Sequence, residues 1–246
     1  MTPKVRWEEM FPDELDAALA RCPLVYLTYG LCEPHGLHNA VGLDALKAHA
    51  LACRAAQAHG GLVAPPFFWH VHEVGYHAAW GARTIGDRNP WLTSLPPWVF
   101  FQMFFFHLRA AAARGFHAAI VITGHYGGNE RDFKRIAEIF MRHSSLRIWT
   151  GGDHEAIVAS QVAWLGRKAA ELLAAYRPPA QSAGHTPGNP LGALTFGATE
   201  RLWREEVAPF LSEFTSMNRR PGQERVDPAS PWAPNEVSDA SLMHEA

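Results

Sequence analysis

Four side chains of the kinds that bind metal ions lie close together near the N-terminus: Glu33, His35, His38 and Asp44. In an extended chain, residues two apart point to the same side and lie about 7 Å from each other. Glu33 and His35 can therefore face one cavity, where they would hold one ion together or two adjacent ions separately. Singly, each residue has an ordinary explanation, such as helix capping by Asp44. Their concentration in one stretch instead indicates half of a metal site.

The segment before this stretch is typical of a buried parallel strand. Residues 24–29 are apolar, β-branched and aromatic, and they are bounded by Pro23 and Gly30. In open α/β sheets, ligands bind beyond the carboxyl ends of the strands. The sequence therefore predicts that the candidate ligands leave the end of a strand, and that Asp44 opens the helix that follows.

Two more strand-like runs end in polar residues. Residues 117–122 precede a glycine-rich turn that contains His125, and residues 146–150 precede an Asp-His-Glu sequence at 153–155. A helix-like segment follows each of these turns. Three units of strand, polar turn and helix predict one three-layer α/β/α domain with a mostly parallel sheet, whose strand ends meet around one pocket.

Two of these motifs resemble signatures of the creatininase (creatinine amidohydrolase) family. The first reads Glu-Pro-His-Gly-Leu-His from Glu33 and is followed by Asp44, where the family has E-Q-H-G-x-H-L-P-x-x-T-D. The second reads Thr-Gly-His-Tyr-Gly-Gly-Asn from Thr123, where the family has N-G-H-G-G-N. The residue types of the ligands match, and several of their neighbours differ. Fainter matches extend the resemblance over roughly residues 24–214.

The resemblance implies the fold of that family and a site for two divalent ions per subunit, Zn²⁺ or Mn²⁺, with Asp44 as the bridging ligand. The metal ligands that it carries over are Glu33, His35, Asp44 and His125. Its third and less specific part, after Trp149, makes Asp153 and His154 the catalytic pair that moves a proton to the leaving group. It also implies a homo-oligomer, namely a hexamer.

One ligand of the second ion is missing from this pattern. Creatininase has a Glu two residues after the His that corresponds to His125, whereas this chain has Gly127. Glu155 follows the third strand end and can reach the same crevice from the opposite wall, so we expect Glu155 to supply the ligand. Glu130 and water are the competitors, and an acid such as Glu130 in the first turn of a helix has an ordinary explanation.

The resulting prediction is a metal-dependent amidohydrolase-type enzyme that cleaves a small cyclic amide or a related C–N bond through a metal-activated water. Three alternatives stay open: hydrolysis of a C–C bond in a cyclic ketone of the inositol type, a non-catalytic metal-binding protein on the same scaffold, and nucleotide binding at the Gly127-Gly128 turn. Against nucleotide binding, the chain has no G-x-G-x-x-G sequence. Cys32 is a further candidate ligand or nucleophile, although an unpaired Cys at a strand end is typically a small buried hydrophobe.

Two aromatic segments have separate expected roles. The loop from His70 to Arg83 is rich in imidazole, aromatic and charged side chains, and we expect it to form a wall of the substrate pocket. Between Trp91 and Phe106, the density of aromatic residues exceeds what one small core helix needs. That density favours a homo-oligomer independently of the resemblance.

The 246 residues fit one hydrolase domain, which we place at residues 1–216, followed by a Pro-rich polar tail at 217–246. The formal net charge of -2 means that the chain has no excess of positive charge with which to bind nucleic acid or an anionic membrane. We therefore expect a small-molecule substrate. The N-terminal residues do not resemble a signal peptide, and the longest apolar run is too short for a membrane span. We expect a cytoplasmic protein.

Overall fold

The computed structural model describes residues 4–33, 35, 37–71, 93–95, 97–125, 130–152, 158–178 and 195–209. The strands are β1 (Leu24–Tyr29), β2 (Leu62–Val63), β3 (His70–Val71), β4 (Ser94–Leu95), β5 (Ala118–Thr123) and β6 (Arg147–Gly152). The α-helices are α1 (Pro12–Arg21), α2 (Leu43–His59), α3 (Pro97–Arg114), α4 (Glu130–Arg142), α5 (Val158–Ala175) and α6 (Phe196–Leu202). A 3-10 helix at Trp7–Glu9 precedes α1, and a π-helical turn at Trp203–Val207 follows α6.

Four parallel strands form the central sheet in the order β2-β1-β5-β6. Tyr29 at the end of β1 pairs with Thr123 at the end of β5, and Thr123 pairs with Gly152 at the end of β6. The three strands therefore finish level with one another at one edge of the sheet. The short strands β3 and β4 form a separate parallel pair.

Helices cover both faces of this sheet, because every residue of β1 and β5 is buried and successive side chains point to opposite faces. On one face, Tyr29 packs against Phe104 of α3 and Phe133 of α4. On the other face, Tyr26 and Ile122 belong to a cluster with the alanine-rich side of α2 and with α5. The predicted three-layer α/β/α architecture with a mostly parallel sheet is therefore confirmed.

Helix α2 begins and ends close to the predicted positions. It starts at Leu43, one residue before Asp44, and it stops at His59. Gly60 and Gly61 follow with φ values of 89° and 100°, a conformation that glycine adopts without strain. Among the helices that the structure describes, none has the length and apolar character needed to cross a bilayer.

Candidate metal centre

Two glycines allow the first turn of α2 to sit directly on the ends of β1 and β5. A Cβ atom at Gly30 would collide with the backbone nitrogen of Ala45, and one at Gly124 would collide with the carbonyl oxygen of Asp44. Any larger residue at either position would therefore push the helix away from the sheet. Because the approach is this close, Asp44 is held at the sheet edge where β1 and β5 end.

Three of the predicted ligands meet at this edge. The His125 Nδ1 atom lies 3.0 Å from Glu33 Oε1 and 3.2 Å from Asp44 Oδ2. One candidate ligand atom from each of these residues lies within 4.8 Å of the other two, and no other such cluster of three occurs among the described residues. Ligands of one ion with bonds of about 2.1 Å stand about 3 Å apart, so the spacing suits a shared ion.

The fourth predicted ligand, His35, approaches Asp44 from the other side. Its Nε2 atom lies 2.8 Å from Asp44 Oδ1 and 3.8 Å from Glu33 Oε1. Its Nδ1 atom lies 3.0 Å from the backbone oxygen of Glu33, to which an Nδ1–H can donate. Each carboxylate oxygen of Asp44 thus faces a different imidazole. The bridging role of Asp44 stays a prediction.

Asp44 is buried, with 1% of its surface exposed, and its Oδ1 atom has no hydrogen-bond partner despite the nearby His35 ring. Burial opposes its negative charge, but the hydrogen bond from His125 and the charges of His35 and Lys47 outweigh burial and hold the pKa of Asp44 below its ordinary value. His35 and Lys47 on the Oδ1 side and His125 on the Oδ2 side therefore surround this carboxylate with groups that favour its anionic form.

His125 carries a proton in the metal-free site. Burial alone would lower the pKa of His125, but the hydrogen bonds to Asp44 and Glu33 dominate and raise it to about 9. Its Nδ1–H then lies between the two carboxylates that, with His125, would hold a metal ion. A divalent ion and this proton therefore compete for the same place.

His70 differs from the expectation that it lines the substrate pocket. It is fully buried at the start of β3, where its Nδ1 lies 2.9 Å from the Val71 carbonyl oxygen and its Nε2 lies 3.1 Å from Thr123 Oγ1. The backbone N–H of His125 donates to the same Thr123 oxygen at 3.3 Å. Burial lowers the pKa of His70 to about 3, so it is neutral. His70 therefore supports His125 from behind, a role that depends on a contact between distant parts of the chain.

The structure describes some of the other sequence candidates and leaves the rest outside the described residues. His38 is exposed in a turn, and neither it nor Cys32 belongs to the ligand cluster of the described part. Glu130 is the first residue of α4. Asp153, His154, Glu155 and Gly127 lie outside the described residues, as do the rest of the 70–83 loop beyond Val71 and the tail at 217–246. Their predicted roles stay predictions.

A cavity of ≈ 380 Å³ lies beside β6 on the α2 and α5 side of the sheet. Ile122 and Gly152, at the strand ends, line it, as do Trp149 and Trp164, whose indole rings meet edge to face at 4.6 Å between centroids. Gln161 and Arg167 add polar groups. Gly152 pairs with Thr123, two residues before His125, so the cavity and the ligand cluster share one edge of the sheet.

One protein-family model matches this chain, and several solved structures have a similar fold. The family model for creatininase (creatinine amidohydrolase) matches residues 8–186. The chain is similar to a mutant creatininase, in which a tryptophan is replaced by phenylalanine, at 17% identity and a TM-score of 0.52, covering 87% of this chain and 99% of that one. A manganese form of creatininase gives 16% identity and a TM-score of 0.51, covering 87% and 98%.

A putative creatinine amidohydrolase from Bacteroides fragilis NCTC 9343 gives 16% identity and a TM-score of 0.50, covering 88% of this chain and 96% of that one. At these identities the solved structures show a common fold. No curated protein matches the chain significantly.

Proposed function

The chain belongs to the creatinine amidohydrolase family, and we propose that it is a metal-dependent hydrolase of a small cyclic amide or a related C–N bond. One observation carries this proposal. Glu33 and Asp44 come from the stretch after β1 and His125 comes from the turn after β5, and the three converge at the sheet edge where α/β proteins bind their ligands. Two carboxylates and an imidazole placed this close together form a ligand set that suits a divalent cation.

The residues present fit a divalent ion. Glu33, Asp44 and His125 would supply three ligands, the number that catalytic zinc sites take from the protein while one position stays open for water or substrate. Mixed carboxylate and imidazole ligands suit Zn²⁺ and Mn²⁺ alike, and we propose one of these two. Such an ion supplies a nucleophilic water at neutral pH and polarises a carbonyl.

Proton transfer is assigned to Asp153 and His154. The family resemblance carries these roles, and the strand that precedes the two residues in sequence, β6, ends at Gly152 in register with Thr123. A carboxyl and an imidazole are the groups that a hydrolase needs to protonate an amine leaving group. The assignment is tested by replacing each residue singly and measuring kcat.

The neighbouring cavity supports a small substrate with a flat ring. Its volume of ≈ 380 Å³ lies near the lower end of the range for small-molecule sites, and two indole rings line it. Polar side chains such as Gln161 can orient the ring by hydrogen bonding. A cyclic amide has this combination of a planar ring and polar edges.

The test is turnover of a panel of cyclic amides and cyclic ketones by protein loaded with Zn²⁺ or Mn²⁺. We expect hydrolysis of at least one cyclic amide, and loss of that activity with the bound metal in Glu33→Gln. Glu171→Gln replaces an exposed acid on α5 and is the matched control. It should change neither the activity nor the amount of bound metal. Turnover of cyclic ketones alone would favour C–C bond hydrolysis. A metal-loaded protein that turns over neither class would instead be a non-catalytic metal-binding protein.

A further inference from the structure

Thr93, the residue directly before β4, joins the loop between β1 and α2 to the segment that precedes β3. Its hydroxyl oxygen accepts a hydrogen bond of 2.9 Å from the backbone N–H of Cys32, and its hydroxyl donates to the backbone oxygen of Phe68. Its own carbonyl oxygen accepts from the backbone N–H of His70 at 3.3 Å. One hydroxyl therefore acts as donor and acceptor at once, and it links parts of the chain that are 61 and 25 residues away in sequence.

The segment that precedes β3 is itself fixed to the end of β1. Phe67 forms a parallel bridge with the last residue of β1. Its backbone N–H donates to the Thr28 carbonyl at 3.0 Å, and its carbonyl oxygen accepts from the Gly30 N–H at 2.9 Å. The carbonyl of Phe68, the next residue, is therefore held beside the sheet. Through its hydroxyl, Thr93 connects this fixed carbonyl to the loop that carries Glu33.

Glu33 follows Cys32 directly in that loop. The N–H of Cys32 is bound by Thr93, and the N–H of Glu33 donates to the Val41 carbonyl at 2.8 Å, so the backbone is fixed at two successive residues. From this backbone the Glu33 carboxylate reaches to 3.0 Å from Nδ1 of His125. A ligand side chain on a fixed backbone loses less conformational freedom when it binds an ion.

We infer that Thr93 is a positioning residue of the candidate metal centre. Its hydroxyl fixes the backbone at Cys32, and this keeps the Glu33 carboxylate beside Asp44 and His125. The inference rests on the proposed function, because it concerns the same metal centre, and it assigns no metal ligand to Thr93 itself. Groups that hold metal ligands in place typically change metal affinity 10–100-fold when they are removed.

The experiment compares Thr93→Val with Thr93→Ser in the full-length protein. Valine has nearly the shape of threonine but lacks the hydroxyl, so both hydrogen bonds of the side chain are lost. Calorimetric titration with Mn²⁺ should show an affinity that is lower by about tenfold or more. Serine keeps the hydroxyl and should restore most of the affinity.

Thr199→Val is the matched control, because it removes the same hydroxyl far from the metal centre. Thr199 is buried on α6, and its hydroxyl donates to the Thr195 carbonyl at 2.9 Å. This variant should lower the free energy of unfolding and leave the Mn²⁺ affinity unchanged. If Thr93→Val does not fold, as judged by circular dichroism, Thr93→Ala takes its place with the same expected loss of affinity.

Amide hydrogen exchange in the metal-free protein gives a second readout that needs neither metal nor activity. The backbone N–H of Cys32 should exchange faster in Thr93→Val than in the unmodified protein. In Thr93→Ser and Thr199→Val its exchange rate should stay close to that of the unmodified protein. An unchanged rate in Thr93→Val would show that the hydroxyl does not hold this part of the loop.

Three titration results would overturn the inference: an unchanged Mn²⁺ affinity in folded Thr93→Val, no recovery in Thr93→Ser, or an equal loss of affinity in Thr199→Val. The proposed function fails separately. If Thr93→Val weakens Mn²⁺ binding and the unmodified protein hydrolyses nothing, the positioning role stands and the hydrolase is rejected. Turnover with a metal affinity that does not depend on Thr93 would reject the positioning role alone, and a protein that binds no Mn²⁺ would reject both.

Discussion

His125 determines how metal binding should depend on pH. Its pKa is raised to about 9 by Asp44 and Glu33, so in the metal-free protein a proton occupies the position of the ion. Binding must displace that proton, and the apparent affinity for Mn²⁺ should rise about tenfold per pH unit up to pH 9. Calorimetry in buffers of different ionisation enthalpy should detect the release of one proton near neutral pH. An affinity that does not change with pH in this range would contradict the assignment.

The same group affects the stability of the metal-free protein. A His whose pKa is raised by folding stabilises the native state below its ordinary value of 6.5, and this contribution is lost as pH rises toward about 9. A bound ion replaces the proton and should remove this pH dependence. Thermal unfolding of the metal-free and metal-loaded protein across that range provides the comparison.

Asp132 allows a prediction that does not involve metal. It is buried on the first turns of α4, its Oδ1 has no hydrogen-bond partner, and burial raises its pKa to about 7. A carboxyl with a raised pKa costs stability as pH rises from its ordinary 3.8, and the full cost is reached above pH 7. Asp132→Asn should therefore stabilise the protein by on the order of 2 kcal/mol above pH 7 and by much less near pH 4.

Denaturant unfolding at the two pH values measures this difference. Glu138→Gln is the control, because Glu138 lies on the same helix, is partly exposed and pairs with Arg135 at 3.5 Å. It should change the free energy of unfolding by less than about 0.5 kcal/mol at either pH. Equal effects of Asp132→Asn at both pH values would show that the carboxyl is not destabilised by burial.

The close contact between α2 and the ends of β1 and β5 positions Asp44 in the candidate metal centre. Gly124→Ala would place a Cβ against the Asp44 carbonyl oxygen, so we expect the first turn of α2 to shift and the affinity for metal to fall by at least about tenfold. Stability should fall by about 1–3 kcal/mol. Metal titration and denaturant unfolding measure the two effects.

Gly197→Ala is the matched control for this substitution. Gly197 lies within α6, and a Cβ there would meet nothing within 4 Å. Alanine favours a helix over glycine by about 1 kcal/mol, so this change should stabilise the protein slightly and leave metal binding unchanged. If Gly124→Ala were equally harmless, the close approach would not be what positions Asp44.

The sequence alone was enough to predict the strands and helices whose residue patterns are local. Strands β1 and β5 are short apolar runs followed by polar turns, and α2 ends at a glycine pair. The four candidate ligands came from the family resemblance, and the structure brings them together because parallel strands that finish level place the residues after them at one edge.

Long-range contacts account for what the sequence did not reveal. His70 follows two prolines and several aromatic residues, and nothing in that stretch indicates that it would reach Thr123 behind His125. Lys47 looks like a solvated residue on an amphipathic helix, and its Nζ atom lies 3.8 Å from Oδ1 of Asp44, which the strand ends hold in place. In both cases the chemistry depends on which distant element lies opposite the residue.

At the scale of the whole molecule, exposed apolar side chains favour self-association. Trp98 is 62% exposed at the start of α3, next to the half-exposed Val99. Trp69 is also exposed and directly precedes β3, whose partner strand β4 lies just before α3. The two strands are parallel, so Trp69 precedes the start of the β3–β4 pair and Trp98 and Val99 follow its end. Large aromatic side chains at the surface are typical of subunit interfaces. We propose a homo-oligomer, and the family resemblance suggests a hexamer.

Substitution of Trp98 by Glu tests this proposal, because a buried charge without a partner strongly opposes association. We expect light scattering at micromolar concentration to give an oligomer for the unmodified protein and a smaller species for Trp98→Glu. Phe11→Glu is the control, since Phe11 is 68% exposed at the start of α1 and lies away from the β3–β4 pair in sequence. It should leave the mass unchanged. A monodisperse monomer for the unmodified protein would reject the oligomer, and equal dissociation by both variants would place the interface elsewhere.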